Sequence, residues 1–134
     1  MNIPVNFEIS KLLKEKGFDV PTTKCYAEER FIDKNTGGDL FTGVFRLCTK
    51  SRFHKRYYYA PTIAEIIIWL YEKHGIWIQP TICSDKTFKV GCIELNNYPL
   101  VEHIVRNKNE QLYFNSSTEA YESAIEHTLK NLLP

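Results

Sequence analysis

At 134 residues, with 43% hydrophobic and 25% charged positions, the chain has the size and balance of a single globular domain, 1–134, that needs no disulfide or metal to bury a core. A net charge of +1 excludes binding of nucleic acid or membrane through the overall field and leaves only a local patch for such a role. The longest apolar run, Ile66 to Tyr71, falls far short of the ~20 residues of a membrane helix, and the Met1–Asn6 start lacks both regions of a secretory leader; a cytoplasmic protein without a membrane partner is expected.

Asn6 predicts the cap of a short first helix, Phe7 to Lys16, because its side-chain oxygen can accept an unpaired N–H of the first turn, and Gly17 is a natural stop. Lys24 to Ile32 alternates as a half-buried strand, with Cys25, Ala27 and Phe31 on one side and Glu28 and Arg30 on the other; Glu29 spoils the inward side. The turn formers Asp33 to Asp39 then lead into a second strand, Leu40 to Cys48, the return of an antiparallel hairpin. Arg52 to Tyr59 reads as a third strand.

Thr62 and Glu65 form the T-x-x-E of a capping box, so a helix is predicted from Thr62 to His74, with Gly75 ending it. Ile63, Ile66, Ile67, Leu70, Tyr71 and His74 recur at helical spacing and define its expected buried stripe, leaving Ile68 and Trp69 to one side. Ile76 to Cys83 is a strand whose Pro80 cannot donate to a ladder, which places it at an edge or at a bulge. Phe88 to Leu95 returns, with a bulge expected at Gly91 where the apolar parity shifts. Leu100 to Arg106 fits a strand or a helical turn and reads better as strand. Gln111 to Phe114 is a short strand, and Ser116 with Glu119 caps a last helix, Ser117–Leu132. Runs of strands and helices rather than strict alternation predict an α+β fold: an antiparallel sheet covered by the two main helices, with the short N-terminal helix beside it.

Candidate sites are few. Cys25, Cys48, Cys83 and Cys92 include no C-x-x-C pair, so reduced buried thiols are expected rather than a metal site, although Cys83 and Cys92 flank a hairpin that could bring them together. His54, His74, His103 and His127 are scattered, and none has a recognisable partner for acid–base chemistry. Gly37-Gly38 lacks the context of a nucleotide loop, and no nucleophile signature occurs. No catalytic residue, cofactor or metal is therefore assigned, and the chain is not expected to be an enzyme. Residues 46–59 carry five Lys/Arg and no acid (Arg46, Lys50, Arg52, Lys55 and Arg56). In a strand, Arg52, His54, Arg56 and Tyr58 share one face, a strip on which phosphates and an unpaired base could rest; the same strip could equally be a solvated face balanced by acids such as Glu28. Ile68, Trp69 and Trp77 together suggest an apolar patch that a second copy buries, giving a homodimer; the alternative is that the chain covers both indole rings itself.

The segment YAPTIAEIIIWLYEKHGI (Tyr58 onward), the terminal FNSSTEAYESAIEHTLKNLL and the early KLLKEKGFD resemble pieces of small uncharacterised bacteriophage and prophage proteins. The last helix is also faintly similar to the end of HicB-type antitoxins, without the glycine-rich strand turn that precedes it there. The phage resemblance implies an origin on a mobile element and a bacterial cytoplasmic setting, and no activity. Joined to the residue-level reading, it makes the expectation a non-catalytic accessory that binds an unknown protein partner. A nucleic-acid-binding accessory using strand 46–59 is the alternative.

Overall fold

The computed structural model describes residues 3–49 and 57–134, and within them the chain divides into two compact units, residues 4–61 and residues 62–134 together with the N-terminal residues. The α+β class holds in both units, but the strands form two antiparallel three-stranded sheets rather than one.

The first unit contains α1 (Phe7–Glu15), β1 (Lys24–Ile32), β2 (Asp39–Thr49) and β3 (Tyr57–Tyr59), with sheet order β2-β1-β3. Asn6 caps α1 by accepting the N–H of Ile9 at 3.0 Å, and Gly17 follows in the left-handed region at φ +86. Between Glu28 and Arg30 the hairpin register shifts: β1 advances two residues while β2 goes from Phe45 to Phe41. Gly43, at φ +77, takes up the extra chain in a conformation that side-chain-bearing residues rarely adopt. α1 packs along β3, and Val5, Ile9, Leu13, Phe18, Cys25 and Ala27 are buried. Phe7 stacks on Phe45 at 4.7 Å and meets Tyr26 and Tyr58 at 5.5 and 5.4 Å, closing an aromatic cluster over the strands. Of the strand expected over 52–59, only Tyr57–Tyr59 falls within the described residues.

The second unit contains α2 (Ile63–His74), β4 (Ile76–Ile82), β5 (Phe88–Glu94), β6 (Val101–Ile104) and α3 (Ser117–His127), which runs into a π-helical turn at Thr128–Leu132. Its sheet is a simple meander, β4-β5-β6, so β4 is an edge strand, as Pro80 requires. The expected capping box is formed: Thr62 Oγ1 accepts the Glu65 N–H, and Glu65 accepts the Thr62 N–H at 3.0 Å. The expected bulge at Gly91 is not, since β4 and β5 pair without interruption from Ile76↔Glu94 to Ile82↔Phe88. The open space above Gly91 is instead filled by the Glu102 side chain of the neighbouring strand, whose carboxylate would lie 2.5 Å from a Cβ there and would have to swing aside. Residues 111–114 contribute one bridge, Phe88↔Phe114, rather than a strand.

Both helices of this unit cover the same sheet face. Ile76, Ile78, Val90 and Cys92 point into it, and Ala120 and Ala124 of α3 are small enough to let the helix sit close, with Cys92 Sγ donating to the Ala124 carbonyl at 3.6 Å. The buried arc of α2 is Ile63, Ile66, Trp69 and Leu70, not the stripe through Tyr71. Trp69 is thus a core residue, 4% exposed, with its ring 4.7 Å from that of His74, while Tyr71 is 52% exposed. Ile at i and Trp at i+3 lie as close to one helix face as residues four apart, so spacing alone left the centre of the arc open.

Candidate interaction surface

α2 ends on Gly75 in the left-handed conformation, φ +64, and this reversal puts the exposed side of the helix next to the start of β4. Because strand side chains alternate, Ile76 and Ile78 enter the core and Trp77 is left on the opposite face, 39% exposed. Its ring meets Tyr71 edge-on at 5.9 Å and 80°, and its Nε1 donates to Gln79 Oε1 at 2.8 Å. Ile68, 56% exposed, sits one helical turn before Tyr71. Opposite Trp77 on β5 is Ile93, and opposite Ile93 on β6 is Glu102. An apolar ridge of Ile68, Tyr71 and Trp77 therefore flanks the edge of the sheet. Of the three residues read from the sequence as an interface, Ile68 and Trp77 are exposed, and Trp69 is withdrawn into the core; Tyr71 stands in its place. Sequence reasoning missed Tyr71 because it was assigned to the buried stripe.

The basic strip is less complete. Arg52, His54 and Arg56 lie outside the described residues, as do Lys50 and Lys55. Tyr58 is half-buried, its ring edge-on to Phe7 and to Phe45 at 5.3 Å, with the Lys14 ammonium 4.7 Å above it. Such a ring is already enclosed by the cluster. Arg46 forms an ion pair with Glu29 across the hairpin. The Arg46 side chain is 73% exposed and that of Glu29 37%, so water screens the pair and it adds little to stability.

Two clusters had no signal in the sequence reading. Cys25 and Cys48 are directly opposed in β1 and β2, with Sγ atoms 3.9 Å apart. Burial raises the Cys48 thiol above its ordinary pKa, and Cys25 beside it adds to the shift. The Cys83–Cys92 approach considered from the hairpin does not occur: Cys92 is opposite Ile78, whereas Cys83 is past the end of β4, donating its N–H to Thr87. Cys92 is buried against α3, and its thiol too is raised by burial. At the other end of the meander, His103 Nε2 lies 2.8 Å from Glu94 Oε2, and the His127 ring is 6.3 Å away. Burial, and then the facing His103, push the His127 pKa down. Cys92, buried and accepting from Thr128 Oγ1, is the residue opposite His103 on β5, and among the described residues no group of three His, Cys, Asp or Glu could hold a metal ion. Among the same residues no helix is long and apolar enough to cross a membrane.

No protein-family model matches the chain, and no curated protein or solved structure does either.

Proposed function

We propose that this chain is a non-catalytic accessory protein that binds a protein partner through the Ile68–Tyr71–Trp77 ridge. The observation that carries the reading is the exposed Tyr71–Trp77 ring pair, held in fixed geometry beside Ile68 on rigid elements. Aromatic side chains fixed in this way lose little conformational freedom on binding and supply much of the contact energy of interfaces. Pro80 lacks an N–H on the edge strand, which works against a partner extending the sheet and favours docking by side chains. The resemblance of the 58–76 and C-terminal segments to bacteriophage and prophage proteins sets this role in the cytoplasm of a bacterial or phage-infected cell.

A second copy of the chain is the partner to test first, because the face carries Lys89 and Glu102 as well as the apolar ridge and so can meet itself with opposite charges. Light scattering across a concentration series gives a mass rising from one chain to two, and Trp77→Lys restores one chain at all concentrations. A wild-type mass of one chain throughout removes self-association, and capture from infected cells with wild type against Trp77→Lys then decides whether a different protein binds there. Tight oligonucleotide binding that weakens steeply with salt and ignores Trp77→Lys would instead support the basic strand.

A further inference from the structure

Three of the four sheet edges are covered or cut short. α1 packs along β3, where Lys14 Nζ donates to the Tyr57 carbonyl at 3.1 Å. β4 carries Pro80, and β6 is four residues long. β2 is the exception: it has eleven residues with neither proline nor lysine, and among the described residues no strand pairs with its outer side. Natural proteins blunt edges of this length, because a free row of N–H and C=O groups is a template for another strand. The irregularity at Gly43 leaves residues 44–49 regular, paired from Glu28↔Phe45 to Lys24↔Thr49 without a break.

The ladder shows which backbone groups of β2 are free. Ala60 N–H donates to the Lys24 carbonyl at 3.1 Å, so Lys24 turns its backbone polar groups towards β3. Alternation then turns those of Cys25 and Ala27 towards β2, where Cys48 and Arg46 face them. The N–H and C=O groups of Phe45, Leu47 and Thr49 therefore point away from β1, to the open side. Val44 and Leu47 expose apolar side chains beside them. Charge restricts the occupant. After Thr49 the sequence continues through Lys50, Arg52, Lys55 and Arg56 without an acid, and residues 4–61 hold eleven Lys/Arg against seven Asp/Glu. A second copy laid along β2 would bring the same cations to the same edge, like against like. An acidic strand meets opposite charge instead.

We propose that β2 takes an extended acidic segment of a protein partner as a fourth strand of its sheet, antiparallel to β2, with the segment's carboxylates at the Thr49 end. Main-chain hydrogen bonds to Phe45, Leu47 and Thr49 make the pairing, and the Lys/Arg-rich sequence after Thr49 selects for acidic residues. No covalent bond is made or broken. β2 belongs to a different unit from the Trp77 ridge, so either proposal can fail alone.

The test uses the full chain and a fluorescein-labelled probe peptide, Asp-Glu-Asp-Glu-Val-Thr-Val-Thr-Val, read by anisotropy and by amide hydrogen exchange. The probe binds and slows exchange at Phe45, Leu47 and Thr49. A peptide with lysine in place of the acids binds roughly 10-fold more weakly, the effect of a few exposed ion pairs. In an added strand every second probe N–H faces β2. N-methylation of one alternate set therefore abolishes binding, and methylation of the other set leaves it. Leu47→Pro removes an N–H that faces the open side, so the pairing with β1 survives. Binding then falls roughly 5- to 150-fold, because a probe carbonyl is left unmet. Trp77→Lys leaves probe binding unchanged. Equal binding of the acidic and lysine peptides, equal effects of the two methylation sets, undiminished binding by Leu47→Pro, loss of binding in Trp77→Lys, or no binding at millimolar probe overturns the proposal. So does a wild-type mass of two chains that Leu47→Pro reduces to one and Trp77→Lys does not, because a second copy then holds the edge.

Discussion

Gly75→Ala probes the joint that sets α2 against β4 and so places Tyr71 beside Trp77. Gly75 sits at φ +64 and ψ 33, where an L side chain costs roughly 1–2 kcal/mol. Alanine also narrows the unfolded ensemble, which returns about 0.4–1 kcal/mol. The new Cβ would stand 2.4 Å from Asn96 Nδ2, a contact no real Cβ makes, so the Asn96 side chain must move. Asn96 is exposed and can swing away, at the ~0.5–1.5 kcal/mol of a displaced rotamer. The expected net loss is about 1–2 kcal/mol. The chain's two tryptophans, Trp69 and Trp77, lie on either side of Gly75, so urea unfolding followed by indole fluorescence reports on this unit directly. Gly75→Asn should cost less, since asparagine tolerates the left-handed region. In an Asn96→Ala background the alanine penalty should shrink by the rotamer share. A Gly75→Ala protein as stable as wild type, or an asparagine variant as damaged as the alanine one, refutes the assignment of Gly75 as a left-handed stop.

Ile66 is fully buried and Ile68 is exposed, so Ile66→Ala should lose about 2–5 kcal/mol in urea titrations while Ile68→Ala stays within about 0.5 kcal/mol; similar losses would put the arc of α2 elsewhere. Incubation with glutathione disulfide should link Cys25 to Cys48, releasing two glutathione thiols, and peptide mapping should find no Cys83–Cys92 link; native Cys92 should also resist alkylation, because burial raises its thiol pKa. For His127, burial and then His103 lower the pKa below 6.5, and burial does the same for His74, so the unfolded chain takes up more protons as pH falls through 6.5. Stability should therefore decline from about pH 7 towards about pH 5, and His127→Asn should flatten part of the decline. Glu122, raised by burial and then by Glu119, works in the opposite sense only at lower pH, as it protonates. A flat or rising urea midpoint across the upper interval contradicts the histidine directions.

The sequence by itself determined the ends of elements, because these depend on groups three or four residues apart along the chain. Asn6 at α1, the Thr62–Glu65 box and Ser116 at α3 cap the helices they were expected to cap, and Gly75 stops α2 in the left-handed turn. The mixed α+β class followed from the same local signals. Pro80 limited β4 to an edge or a bulge for an equally local reason, the missing N–H, and the sheet order decided for the edge. What each element faces was a different matter. Whether Trp69 or Tyr71 enters the core depends on how α2 is rotated against a sheet built from residues later in the chain. The Cys25–Cys48 contact depends on register: the pairing nearest the turn, Ile32↔Asp39, would set Cys25 opposite Arg46 if it continued, and the extra chain around Gly43 moves it to Cys48. Gly43, a glycine inside a strand pattern, was the one local sign of that shift. Ser10 looked like any small residue of a short helix, and only the closure of α1 on β3 leaves its hydroxyl without a partner beside a cavity. Caps, stops and missing donors act through bonds already adjacent in the chain; burial, register and cavities are fixed only when distant segments compete for the same space.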